Sequence, residues 1–398
     1  MKKNTIFVAA RQDSLNIGYL RQWAGELLND TMDYVETMHD MAPLQNKILI
    51  LDATESNYQF DLTVDLMKKN YVIFANTFEC AEISPLSGLY LDLMNQGLTN
   101  FGIIGNNDGF NQEGIMSINV NEWFHTTLTE PNRLRAMDAT ERIYSTDHKP
   151  FKFLFLNGRC TFYRENLWKK LEKNNTLESS LRSWLSVDIG EISDSDWPRQ
   201  DGTDIQSDIP IVTLPRKYDN PLADYDEIDN VFKDNWPRYR RLKDVMWRNH
   251  WLGGHIVPSQ YADTYFSLVT ETMGFKNPFI TEKTYKPILA GHPFIIAGAP
   301  GYYQKLHKMG FETFDKLIDE SFDLEPNMDQ RMTMIAEQVK RLCQNDLDQF
   351  LSQCKEICLY NKQYYIDSQW KQWYHTHIKL NEFFQQAIHK LQHLQQKA

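Results

Sequence analysis

Four short apolar runs in the first 105 residues constrain the fold more than any other feature of this chain. They cover 6–10, 47–52, 71–75 and 101–105, and glycine-rich or polar residues bound each of them. None alternates apolar with polar positions. A strand that is apolar on both sides must be covered on both faces, which is the habit of parallel sheets wrapped by helices. Stretches with helical spacing fall between the runs: 17–28, with Leu20, Trp23, Ala24, Leu27 and Leu28 on one side, and 62–69.

A second series begins near Pro150. It has a strand at 151–156, the turn Asn157-Gly158-Arg159, a helix at 164–172 and a strand at 265–270. Residues 190–225 interrupt it. They are rich in Asp, Ser, Pro and Gly and read as an insertion with one short strand at 209–214. From about Met328 onward the pattern is helical, without Gly or Pro. The chain therefore reads as α/β: a first unit over 1–147, a second over 148–325, and a helical tail over 326–398 that braces both. Two such units facing each other leave a cleft for two substrates.

At 398 residues the chain is too long for one ordinary core. A net charge of −11 argues against a general nucleic-acid binder. Five cysteines at spacings that match no zinc or disulfide framework suit a reducing, cytoplasmic setting. The apolar run at the N-terminus is too short for a signal-peptide core, and no stretch approaches the roughly 20 apolar residues that cross a bilayer.

The chemistry concentrates in 279–298. Thr281-Glu282-Lys283 stands where a strand hands over to a helix, and the turn Gly291-His292-Pro293 and the apolar run 294–297 follow. Ligands of open α/β sheets bind at the carboxyl ends of strands, beside helix N-termini. A glutamate suited to ribose hydroxyls next to a lysine suited to phosphate points to a nucleotide, or to a nucleotide joined to a sugar. Lys286 lies one turn beyond Lys283 on the same face.

The run Tyr265–Thr272, a gap, and then Phe279-Ile280-Thr281-Glu282-Lys283 resembles the donor motif of family 10 glycosyltransferases, the α1,3/1,4-fucosyltransferases. The form Thr-Glu-Lys-Thr-aromatic-Lys-Pro also looks like a branch found in marine phages and bacteria. The resemblance covers about 150–315. It implies a GT-B fold with two Rossmann-like domains, a nucleotide-sugar donor on the second and an acceptor on the first, and no obligatory metal or other cofactor. On that basis Lys283 and Arg164 meet the diphosphate, Arg159 also binds the donor, Lys286 adds charge, and Glu282 takes the ribose. Thr281, Thr272 and Phe279 line the donor site, and Glu271 lies near the sugar as a catalytic candidate. Thr272 replaces the family's Asn and Phe279 its frequent Tyr, so the donor is open, with a GDP-sugar favoured.

Inverting transfer also needs a carboxylate to take the acceptor's proton. Asp13, Glu55, Glu79 and Glu82 all follow strands of the first unit, and Glu79 is preferred. Asp194-Ser195-Asp196 spells a metal–diphosphate pattern but lacks a preceding strand, so it reads as a solvated loop. The basic–aromatic stretch from Trp236 to Trp251 could line a nucleic-acid channel or stack on a sugar, and a helix with buried rings accounts for it equally. His292 could touch phosphate or serve the turn. His375, His377, His389 and His393 lack companion ligands for a metal. The expected partners are a nucleotide sugar and a hydroxyl acceptor, a glycan ahead of DNA. A non-catalytic nucleotide-sugar-binding module is the alternative. An NAD-dependent oxidoreductase is weaker, for want of Gly-x-Gly-x-x-Gly after the first strand.

Overall fold

The structure is a computed structural model. It describes residues 6–10, 20, 32–35, 38–52, 60–76, 86–105, 115–120, 124, 127–128, 130–145, 148–158, 160–184, 207–219, 255–272 and 278–397. The chain divides into two compact units. The first comprises Met1–Glu122, Gly190–Gly202 and Trp370–Ala398, and the second Trp123–Ile189 and Thr203–Gln369.

In the first unit β1 (Phe7–Ala10), β2 (Met32–Val35), β3 (Ile48–Asp52), β4 (Tyr71–Asn76), β5 (Phe101–Gly105) and β6 (Met116–Asn119) form one sheet in the order β2-β1-β3-β4-β5-β6. Every pairing is parallel. The four apolar runs are all strands. Phe7, Ile48, Ile50, Tyr71, Ile73 and Ile104 face one way and pack with Leu380, Phe383, Phe384, Ala387 and Leu391. The residues between them, Val8, Leu49, Leu51, Val72, Phe74 and Ile103, face the other way. There they meet Leu66 and Met67 of α1 (Phe60–Lys69) and Tyr90 and Leu93 of α2 (Leu86–Asn95). Two covered faces explain why these runs do not alternate in polarity.

The second unit holds β7 (Phe151–Asn157), β8 (Ser180–Trp184), β9 (Thr264–Thr270) and β10 (Phe294–Ala297), parallel throughout, in the order β10-β9-β7-β8. Its helices are α3 (Glu130–Ser145), α4 (Phe162–Lys173), α5 (Pro258–Ala262), α6 (Glu282–Ala290), α7 (Tyr302–Lys308) and α8 (Met328–Gln344). α9 (Leu347–Lys397) follows, and its residues up to Gln369 belong here. β7 lies between β8 and β9, so the winding direction reverses at β7/β9. The carboxyl ends of those two strands are where a ligand of such a sheet binds.

Three expectations are corrected. The first unit ends before α3, because α3 docks on the second. Thr140 Oγ1 donates to Ala290 O at 2.8 Å and Tyr144 OH to Gly291 O at 2.9 Å. Gly291 allows this approach: it ends α6 with φ 68°, and a Cβ there would lie 3.3 Å from Thr140 Oγ1. The tail is not a separate region, since the part up to Gln369 belongs to the second unit and the part from Trp370 to the first. Within 209–214 there is an isolated antiparallel bridge, Val212 to Trp184, in place of a strand. Pro210 and Pro215 flank it, and neither has the N–H that a longer ladder needs. The helix expected at 17–28 lies outside the described residues except for Leu20, which is helical and buried. No described helix is long and apolar enough to cross a membrane.

Candidate functional site

β9 runs directly into Glu271 and Thr272. Glu271 is fully buried, and five donors converge on its carboxylate. Oε1 accepts from Thr281 N at 3.1 Å, Thr284 Oγ1 at 2.6 Å and Tyr302 OH at 2.7 Å. Oε2 accepts from Thr272 N at 3.1 Å and Thr281 Oγ1 at 2.7 Å. Two carboxylate oxygens offer about four lone-pair positions, so none is left over. The expectation that Glu271 works on a sugar gives way to another role. Glu271 ties the end of β9 to the start of α6 and to α7, and so fixes the site's frame.

That frame aims the Thr-Glu-Lys triplet. Thr281 is the N-cap of α6, and its Oγ1 accepts from Lys283 N at 3.3 Å. Lys283 Nζ reaches back to Thr272 Oγ1 at 3.2 Å and pairs with Glu282 Oε1 at 2.8 Å. Its side chain is 31% exposed while that of Glu282 is 10%. Lys283 Nζ also donates to Thr281 Oγ1 at 3.3 Å, so its three N–H groups are engaged at the start of α6 while the side chain stays partly exposed. Lys286, one turn further, is nine-tenths buried. Its ammonium has no hydrogen-bond partner among the described residues, and burial pulls its pKa down to about 8; Glu282 and Glu271 oppose the shift and Lys283 adds to it. Arg164 on α4 is buried, and its Nη2 donates to Thr270 O at 3.2 Å and Glu271 O at 3.0 Å. Tyr163 OH also donates to Glu271 O. Phe279 is buried just ahead of the triplet.

The sheet's opposite face carries a second polar group. Asn157 closes β7 in register with Trp184 at the end of β8, so both side chains leave the sheet on one face. It is the face that α4 covers, because Trp168 packs on Trp184 with centroids 5.2 Å apart. Asn157 Oδ1 accepts from Thr270 Oγ1 at 2.7 Å. Among the described residues its Nδ2 has no partner, and neither do Thr161 Oγ1, Glu165 Oε2 and Trp184 Nε1. Asn157, Thr161 and Trp184 are at most 3% exposed, and the Glu165 side chain is 11% exposed. Thr161 is the N-cap of α4, yet its side chain makes no cap bond. A buried polar group left unpaired costs about 1–3 kcal/mol. Four of them would be a large share of the roughly 5–15 kcal/mol that keeps a domain folded.

Of the residues expected at the site, the structure brings together Arg164, Glu271, Thr272, Phe279, Thr281, Glu282, Lys283 and Lys286. Arg159 and Glu79 lie outside the described residues, as do Asp13, Glu55, Glu82, 194–196 and 236–251. His292 is at the sheet's other end. Its Nε2 is 2.9 Å from Thr264 O at the start of β9, its Nδ1 is 3.0 Å from Ser267 Oγ, and burial holds its pKa near 3. It serves the turn. Sequence reasoning missed Arg135 and His255. Buried Arg135 on α3 places Nη1 2.8 Å from His255 Nδ1. Burial, then Arg135 and Lys286, hold that imidazole's pKa near 3. No short-range pattern marks this pair, because 120 residues separate its members.

No protein-family model, curated protein or solved structure matches this chain.

Proposed function

We propose that the chain is a glycosyltransferase of GT-B type that moves a sugar from a nucleotide donor to an acceptor hydroxyl. The observation that carries this reading is the Lys283–Glu282 pair at the N-terminus of α6, with the largely buried Lys286 one turn beyond it, at the switch point of a parallel sheet. The donor's diphosphate would meet these two lysines. Glu282 would take the ribose hydroxyls, and a GDP-sugar is the favoured donor. The acceptor oxygen attacks the anomeric carbon while the bond to the diphosphate breaks. The electron pair goes to the diphosphate, whose growing charge the lysines stabilise. Glu79 is the proposed base for the acceptor's proton, with inversion at the sugar carbon. The acceptor is a glycan ahead of DNA, and the setting is cytoplasmic.

The occupied carboxylate of Glu271 favours one second reading, a module that binds the nucleotide sugar without turning it over. Turnover in the presence of varied acceptors separates the two. The donor site itself is tested by thermal shift against GDP-, UDP-, ADP- and CMP-sugars, with Lys283→Ala alongside. A ligand that binds the folded state raises its midpoint by mass action. A shift with one nucleotide class that Lys283→Ala abolishes is the expected result. No shift with any nucleotide sugar would overturn the reading.

A further inference from the structure

We propose that a recess at the amino end of the second unit's sheet, lined by Lys152, Lys173 and Lys340, binds a small polyanion that carries two or more phosphate or carboxylate groups. The recess has a volume of about 420 Å³, within the range of small-molecule sites. It lies at the opposite end of the strands from the Thr-Glu-Lys triplet, so it stands apart from the proposed donor site.

Three elements bring the lysines together. Lys152 stands at the start of β7, Lys173 is the last residue of α4, and Lys340 lies near the end of α8. A helix C-terminus attracts cations because its last carbonyls lack helical partners. Here those carbonyls already have donors. In α4, Lys170 O accepts from Asn174 N at 3.0 Å, Leu171 O from Thr176 N at 3.1 Å, and Glu172 O from Asn175 N at 2.9 Å. In α8, Leu342 O accepts from Asn345 N at 3.0 Å and Cys343 O from Lys152 Nζ at 2.6 Å. Capping therefore accounts for Lys152 and leaves Lys173 and Lys340 without a task. Neither makes a hydrogen bond or ion pair among the described residues.

The groups around the recess select the ligand class. No acidic residue lines it, although the chain carries a net charge of −11. Glu337 accepts from Asn174 Nδ2 at 3.2 Å and is not part of the lining. Lys152 keeps two of its three N–H groups, and Lys173 and Lys340 keep all of theirs. The side-chain amides of Asn175 and Gln344 also line the recess, without partners among the described residues. Such a set repels a cation, and an apolar ligand would leave it unpaired. Cys343 lines the recess too, but burial pushes its thiol up to about 11, so it stays protonated and offers no thiolate to a soft metal. Lysine is a point charge without a planar fork, so phosphate and carboxylate are both admitted. A single anionic charge would leave two ammonium groups unanswered, which is why the ligand carries at least two.

The test titrates the full chain with inorganic phosphate, pyrophosphate and citrate by calorimetry at low salt. Pyrophosphate can also enter the proposed donor site, so each titration is repeated in Lys283→Ala. Lys173→Gln and Lys340→Gln remove charges that hold nothing in place. Lys316→Gln removes an exposed lysine elsewhere in the same unit and serves as the control. Lys152 is left alone because it holds Cys343 O. Pyrophosphate or citrate should bind at least about ten-fold tighter than phosphate, in Lys283→Ala as in the parent chain. Lys173→Gln and Lys340→Gln should each weaken that binding about ten-fold, and Lys316→Gln should leave it unchanged. The ligand-free midpoint of each variant should stay within about 2 °C of the parent chain, which separates lost binding from lost folding. Preference for pyrophosphate over citrate would assign a phosphate ligand, and the reverse a carboxylate one. Binding that Lys283→Ala abolishes and Lys173→Gln leaves intact belongs to the switch point, and it would overturn the inference while supporting the donor site. An equal loss in Lys316→Gln, or no binding of either polyanion, would overturn the inference and leave the donor site untouched.

Discussion

Glu271→Gln is the sharpest test of the site's frame. Each carboxylate oxygen accepts from one backbone N–H: Oε1 from Thr281 and Oε2 from Thr272. The introduced amide has one NH2, and either orientation turns it toward one of those N–H groups. The hydroxyls of Thr281, Thr284 and Tyr302 can rotate to suit, but a backbone N–H cannot. One buried donor is therefore stranded, at about 1–3 kcal/mol, and the remaining contacts lose the extra strength of an ionised acceptor. Relief of a buried charge works against this loss. A net destabilisation of about 3 kcal/mol follows, or a fall in midpoint of about 6–12 °C for a unit of this size. Thermal unfolding followed by tryptophan fluorescence measures it. A midpoint within about 2 °C of the parent chain would refute the account of Glu271 as the tie between β9, α6 and α7.

Three further outcomes are expected. Lys286 titrates near 8 in the folded chain, below its ordinary value of 10.5. Because that pKa is depressed, the folded chain gains stability as pH rises from 8 to 10.5 and has lost that contribution below 8. Lys286→Met should accordingly raise stability at pH 7 by up to about 3 kcal/mol, and denaturant titrations at pH 7 and pH 10.5 should show the gain only at the lower pH. Gly298→Ala would set a Cβ 2.7 Å from Tyr302 Cδ2. The ring must shift and pull its hydroxyl off Glu271, at about 1–3 kcal/mol, read as a lower midpoint that Tyr302→Ala largely masks. Phe384 is fully buried, with its ring 5.6 Å from Phe7. Phe384→Ala should cost the first unit about 3–5 kcal/mol in urea unfolding.

The strands and the triplet were legible in the sequence because their signals are local. Ile48 to Leu51 can only be a strand with two covered faces, and Thr281 caps the helix that its spacing announces. Asn157 was visible as a turn residue, but its link to Thr270 spans 113 positions and leaves no local mark. The role of Glu271 was misread for the same reason. A glutamate at a strand end looks free in sequence, and its donors come from Thr272, Thr281, Thr284 and Tyr302. The boundary near 147 failed because α3 is amphipathic on its own terms. Its bonds to Ala290, Gly291 and His255, and the place of Ala136, Ala139 and Ile143 in the second unit's core, assign it to the second unit. Polarity reports burial, and it does not report which sheet does the burying.

Charge balance at the β7/β9 edge favours a ligand over a purely structural arrangement. Arg164, Lys283 and Lys286 bring three positive charges, and Glu271 and Glu282 bring two negative ones. Arg164 rests on carbonyls, Glu271 serves the frame, and Glu282 pairs with Lys283. Lys286 is the residue that remains: it is nine-tenths buried, and although Glu282 and Glu271 attract its charge, burial outweighs them. A buried charge that lacks a partner destabilises the fold that holds it. Selection for stability alone would replace it with methionine, which fills the same volume without the charge. Keeping a lysine there makes physical sense where something anionic arrives to pair with it, and the stability that Lys286→Met adds at pH 7 should then shrink or reverse once that anion is bound.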